Sequence, residues 1–96
     1  MSNFNVLVLE GRSNCVFISG DIDVVTAPRV AEVLCDLRGD ITVDCTEISF
    51  IDSAGFKALD WGYLVATAAG NTFDVTGLPM FQAQVAQLLQ VPYVRG

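Results

Sequence analysis

The residues of this chain with the greatest chemical potential fall in two short stretches, Gly20-Asp21-Ile22-Asp23-Val24-Val25-Thr26-Ala27 and Phe50-Ile51-Asp52-Ser53-Ala54-Gly55-Phe56. Both set carboxylates and hydroxyls where a simple core has no use for them. Ser53 is a nucleophile only if some group takes its proton, and the chain contains no histidine. That removes Ser-His-Asp and Cys-His catalysis together with the commonest general base. The strings GxGxxG, GxxxxGK followed by Ser or Thr, and GxSxG are also absent, so a nucleotide-binding turn and a hydrolase elbow have no anchor. Cys15, Cys35 and Cys45 are odd in number and lack CxxC spacing. They form no complete disulfide framework, give no support to a metal site, and read as reduced, mostly buried thiols. The Asp52-Ser53 pair is all that favours an enzyme, and the expectation is a binding protein without a cofactor.

The rest of the composition narrows the partners. A chain of 96 residues that is 52% hydrophobic can build one compact core and is too short for two ordinary domains. Eleven acidic residues against five basic ones leave a formal net charge of −6, which opposes attraction to a phosphate backbone, so nucleic acid is not an expected partner. No basic stretch leads into an apolar run with a cleavage site, and Asp60 and Gly62 interrupt the most apolar later segment, Leu59 to Ala69. No membrane insertion is expected, and the expected location is cytoplasmic.

Both polar stretches need elements to position them, and the hydrophobic spacing supplies these. Phe4 to Leu9 and Cys15 to Ile18, separated by Gly11, Ser13 and Asn14, read as a hairpin. Val30, Val33, Leu34 and Leu37 then recur at helical spacing behind Thr26 as N-cap, with Pro28 in the first turn. Ile41, Val43 and Cys45 alternate with Thr42, Asp44 and Thr46 as in a strand, and Ile48, Phe50 and Ile51 lead to a short connection. Helical spacing returns after Asp52, with Phe56, Leu59, Tyr63 and Leu64 on one side and Gly70-Asn71 as the stop. Thr72 to Thr76 reads as a strand. Phe81, Val85, Leu88 and Leu89 mark a third helix opened by Pro79, before a tail Val91-Pro92-Tyr93. The order β, β, α, β, α, β, α predicts an α/β fold with a mixed sheet covered by helices, and both polar stretches lie in strand-to-helix connections. Such connections gather at one rim of a sheet, where two of them can form one surface.

The two stretches, at this separation and on these elements, resemble the signature segments of STAS domains, the family of sulfate transporters and anti-sigma-factor antagonists. The resemblance covers about residues 4 to 90 of a single domain spanning 1–96. It implies a stand-alone bacterial antagonist in which Ser53 is phosphorylated by a partner that is both serine kinase and anti-sigma factor. The unphosphorylated form would bind that partner and free a sigma factor for transcription, the phosphorylated form would let go, and a phosphatase would be a further partner. Asp21, Asp23 and Thr26 match the first stretch and are expected at the partner-facing rim, with Asp52, Ala54, Gly55 and Lys57 beside Ser53. Two positions depart from the family pattern: Phe56 stands where leucine commonly follows the glycine, and Leu78-Pro79 lacks a polar cap before the third helix. The family also contains small cytoplasmic subunits that bind the ATPase of lipid-transport complexes, and this is the alternative reading.

Elementary physics fits the switch without the family. A phosphate at the mouth of a helix is stabilised by free first-turn N–H groups and by the helix dipole. It adds about −1.5 to −2 charge beside Asp21, Asp23 and Asp52, so a partner on that rim feels the change and the domain need not unfold. Plainer roles stand beside these. Ser53 is a preferred N-cap residue, Asp21 and Asp23 suit a solvated turn, and Lys57 suits an exposed helix face. Gly55 permits close approach of the helix start to a neighbouring backbone. Trp61 and Tyr63 are expected to fill the core rather than form an exposed patch.

Overall fold

The computed structural model describes residues 3–95. Five strands form one sheet in the order β1-β2-β3-β4-β5, made of β1 (Asn5–Leu9), β2 (Ser13–Ile22), β3 (Asp40–Ile51), β4 (Phe73–Thr76) and β5 (Val94–Arg95). The first pair is antiparallel and every later pair is parallel, so each parallel step requires a helical crossover. Those crossovers are α1 (Ala27–Asp36), α2 (Ser53–Ala68) and α3 (Met80–Leu88). The expected mixed α/β order is present, and the tail adds the short fifth strand because the Val75 N–H donates to the Tyr93 carbonyl at 2.8 Å.

One sheet face carries the core. Val16, Ile18 and Ile22 of β2, Ile41, Val43, Cys45, Ile48 and Ile51 of β3, and Phe73 and Val75 of β4 are buried. They pack with Val30 and Leu34 of α1 and Phe56, Leu59 and Ala66 of α2. Each of these Val, Leu, Ile and Phe side chains stabilises the fold by about 1.5–3 kcal/mol through removal from water. The opposite face stays open along β1 and β2, where Leu7 pairs in register with Phe17 and both are exposed. Far from the polar loops, the buried Asn14 amide donates to the Arg38 and Asp40 carbonyls at 2.7 and 3.2 Å and pins the α1–β3 turn.

Several elements depart from the sequence expectation, each for a tertiary reason. Strand β2 runs on to Ile22 and β3 to Ile51, because parallel pairing from Ser13–Asp40 through Ile22–Ile51 holds both to their ends. Irregularities in that register flank Gly20, whose φ of 86° only glycine adopts readily. Leu37 is the extended C-cap of α1 rather than a helical residue. Leu64 is exposed although its spacing placed it with Phe56 and Leu59. In α3 only Ala86 is buried; Phe81, Leu88 and Leu89 face solvent. Trp61 is 60% exposed, correcting its assignment to the core. Tyr63 is half-buried, with its ring 5.4 Å from Tyr93 and 6.3 Å from Phe73. Cys45 is buried and Cys15 and Cys35 are half-buried, all as free thiols.

Candidate functional site

Parallel pairing of β2 with β3 brings the two polar loops side by side. Asp21 is opposite Phe50 and Ile22 opposite Ile51, so the β2–α1 and β3–α2 connections leave the same rim. The Asp52 N–H donates to the Ile22 carbonyl at 3.2 Å and ties one loop to the other. Gly55 makes this approach possible. A Cβ at that position would lie 2.6 Å from the Ile22 carbonyl oxygen and 2.5 Å from Ile51 Cγ1, which is the close helix-to-backbone packing expected of it.

The first loop folds around its own polar atoms. Asp23 Oδ1 accepts from the Val25 and Thr26 N–H groups at 2.9 and 3.1 Å. Thr26 Oγ1 donates to the Asp21 carbonyl at 2.7 Å and accepts from the Asp23 N–H at 3.0 Å. Thr26 does occupy the N-cap of α1, but its hydroxyl makes no cap bond to the helix. It is turned back to fix the loop, which corrects the expected capping role. Asp23 thereby has a structural task, and both Asp21 and Asp23 are half-buried at the rim.

The second loop divides its labour between Asp52 and Ser53. Asp52 is the N-cap of α2: its Oδ1 accepts from the Gly55 N–H at 3.1 Å, and its carbonyl accepts from the Phe56 N–H at 3.0 Å. Ser53 is the first helical residue and is exposed. Its expected plain role as N-cap is therefore filled by its neighbour, and its hydroxyl is left facing solvent at the positive end of the helix dipole. Ala54 is half-buried behind it and Lys57, one turn on, is exposed. The expected site residues are thus gathered at one rim.

Two concavities flank this helix start, and both are lined by Lys57. One, about 260 Å³, is formed by Ser53, Phe56, Lys57, Asp60, Leu89 and Val91. The Asp60 carboxylate there accepts from the Tyr93 hydroxyl at 2.5 Å, which docks the tail onto α2. Burial, then this bond and charge, push the Tyr93 phenol far above its usual range. The other concavity, about 300 Å³, is an apolar groove between α1 and α2 that includes Val24, Ala27, Ala58 and Trp61. Sequence reasoning missed this groove, whose only signal was Trp61 four residues beyond Lys57 on the same helix face. Among the described residues no group of His, Cys, Asp and Glu side chains is arranged to hold a metal ion, and no helix is long and apolar enough to cross a membrane. The arrangement offers an exposed hydroxyl, an acidic rim and an apolar groove, all suited to recognition.

Comparison with known proteins places the fold and the family. No family model matches the chain. An anti-sigma-B factor antagonist of Staphylococcus epidermidis is 34% identical, over 66% of this chain and 74% of the relative. An anti-sigma factor antagonist from Mycobacterium paratuberculosis superposes with a TM-score of 0.81 at 22% identity, covering 98% of this chain and 87% of that one. The anti-sigma factor antagonist SpoIIAA, a Bacillus cell fate determinant, gives TM-scores of 0.76 in its unphosphorylated form and 0.75 in its phosphorylated form. Both comparisons are at 13% identity, over 97% and 96% of this chain and 87% and 88% of that one. The solved structures share the fold, the curated relative shares the sequence, and the chain belongs to the STAS-domain family of anti-sigma-factor antagonists.

Proposed function

We propose that this protein is a cytoplasmic partner-switching regulator whose unmodified form binds a serine-kinase anti-sigma factor and is released by phosphorylation at Ser53. The observation that carries this reading is the position of Ser53: exposed, first in α2, and relieved of capping by Asp52. The kinase partner supplies the nucleoside triphosphate. The Ser53 Oγ–P bond forms as the bond to the nucleotide's bridging oxygen breaks, the nucleoside diphosphate leaves, and the hydroxyl proton passes to a base of the kinase. Asp21, Asp23, Thr26, Asp52, Ala54, Gly55 and Lys57 form or support the face that meets the partner.

A phosphate at this position meets the first-turn N–H groups of Ser53 and Ala54, since the Gly55 and Phe56 N–H groups are already bonded to Asp52. It also adds charge beside three aspartates. One like-charge clash or lost charge pair at a buried interface costs on the order of 2–5 kcal/mol, roughly thirtyfold to several thousandfold in affinity. That is enough to release a partner without refolding the domain. The near-equal likeness to the unphosphorylated and phosphorylated forms of SpoIIAA supports a fold that carries both states.

The test is recovery of partners from the native host by Ser53→Ala and Ser53→Asp baits, followed by direct binding of the recovered protein. A small ATP-binding anti-sigma factor held by the Ala form and not by the Asp form supports the proposal. A transport ATPase held equally by both would move the chain to the lipid-transport setting.

A further inference from the structure

Lys57 is the only lysine in the sequence, and among the described residues it stands in a position no other cation shares. It lines both concavities that flank the start of α2. The cations near it are otherwise engaged or distant: Arg29, in the first turn of α1, is held by Glu32 at 2.8 Å, and Arg95 on β5 is held by Asp74 at 3.0 Å. Arg12 and Arg38 belong to the opposite rim, where the β1–β2 and α1–β3 turns lie. Neither ion pair among the described residues involves Lys57.

Asp60 lines one of these concavities with Lys57, and the carboxylates of α2 and of the two loops at its start each have a task. Asp52 caps α2, Asp23 fixes the first loop, and Asp60, one turn further along α2, accepts from Tyr93. Asp21 is also engaged. Ser53 and Lys57 are four residues apart on α2, the spacing at which side chains meet, with the anionic position toward the N-terminus as the helix dipole prefers. Both line the concavity that Asp60, Leu89 and Val91 close. A phosphate on Ser53 would therefore follow directly on the Asp52 cap and find a compensating charge one turn along the helix.

We propose that phosphorylation of Ser53 draws the Lys57 ammonium onto the phosphate, so that modification withdraws this cation from the α1–α2 groove while adding negative charge to the rim. This rests on Ser53 being the modified residue. It makes Lys57 a two-position element. In the unmodified chain it borders the apolar groove of Val24, Ala27, Ala58 and Trp61 and is available to an acidic group of the partner; in the modified chain it is occupied within its own helix. Release then has two additive parts, repulsion gained and attraction lost.

The test uses chain synthesised with phosphoserine at position 53, so it does not depend on any kinase. The second ionisation of that phosphate is followed by phosphorus NMR against pH. With Lys57 present the phosphate holds its dianion to lower pH, and Lys57→Met is expected to raise the midpoint by about 0.3 unit, the pH equivalent of an i,i+4 ion pair. Lys57→Arg should restore it, and Arg29→Gln should leave it unchanged. Because the chain has one lysine, its side-chain nitrogen gives one resonance, which should move with the phosphate titration. A midpoint unmoved by Lys57→Met, an equal rise in Lys57→Arg, or an equal effect of Arg29→Gln would each overturn the pair. If the pair forms but phosphoserine leaves partner binding intact, the switching function fails and the intrahelical pair stands.

Discussion

Gly55→Ala adds a single methyl group at the point where the two functional loops touch, and the structure gives the consequence. The new Cβ would lie 2.6 Å from the Ile22 carbonyl oxygen, 2.5 Å from Ile51 Cγ1 and 2.9 Å from Ile22 Cγ2. The closest backbone contact would have to open from 2.6 Å to the 3.4 Å of ordinary packing. The Ile22 side cannot yield alone, because its carbonyl accepts from the Asp52 N–H and its side chain is fully buried. The start of α2 must move instead, carrying Asp52 and Ser53 with it. Three contacts under 3.0 Å, one of them to backbone, put the cost in the upper part of the usual overpacking range, about 2–3 kcal/mol, and the intrinsic preference of a helix for alanine over glycine returns about 1 kcal/mol. The net expectation is a loss of about 1–2 kcal/mol. With a urea dependence of roughly 1 kcal/mol per molar, the unfolding midpoint should fall by about 1–2 M. Urea titration followed by Trp61 fluorescence and by circular dichroism measures it. A variant as stable as the parent, or more stable, would refute the assignment of Gly55 to close packing.

Three further outcomes follow from the same geometry. Asp52→Ala removes the α2 cap and should cost about 0.5–2 kcal/mol, with Asp52→Asn retaining most of it, in the same urea assay; equal stability of the Ala variant would show that the cap carries nothing. Tyr93 is raised by burial and by Asp60, so the folded chain keeps its phenol proton while the unfolded chain loses it above a pH of about 10. The stability this contributes is present below that pH and drains as pH rises, whereas Tyr93→Phe should lose about 1–3 kcal/mol at neutral pH and show a flatter alkaline decline in thermal melts. Burial, with Asp44 adding to it, pushes the Cys45 thiol up to about 12, so iodoacetamide at pH 8 should label Cys45 only as the protein unfolds; labelling at the rate of Cys15 in native buffer would contradict its burial.

Much of this was legible in the sequence because local patterns and tertiary demands agree. Period-two alternation at Ile41, Val43 and Cys45 is also the buried face of β3, and Val30 and Leu34 are both the helical stripe and the core of α1. The expected rim is present because parallel strands send both connections to the same end of the sheet. What spacing could not give was the partner of each polar atom. Asp52 and Ser53 are both good caps, and the helix begins one residue earlier than a serine cap would set it, so Asp52 takes the bond and Ser53 is free. Thr26 looked like a cap and is a loop clasp. The apolar spacing of α3 marked a helix and did not say how much of it would be covered; the short strand β4 and the two-residue β5 leave too little sheet to cover Phe81 and Leu88. Trp61 was misplaced for a related reason: α2 is apolar on most of its circumference, so its pattern does not say which side faces out.

The measurement that tests the central claim most directly is calorimetric binding of the recovered anti-sigma factor to two forms of this chain, one with Ser53 unmodified and one carrying phosphoserine there. Amide NMR spectra of both forms should be recorded alongside. Partner switching predicts at least a thirtyfold loss of affinity on modification, with amide shifts confined to the start of α2 and the β2–α1 loop. Equal affinity for the two forms, or a loss accompanied by shifts throughout the sheet, would contradict a switch made by surface charge alone.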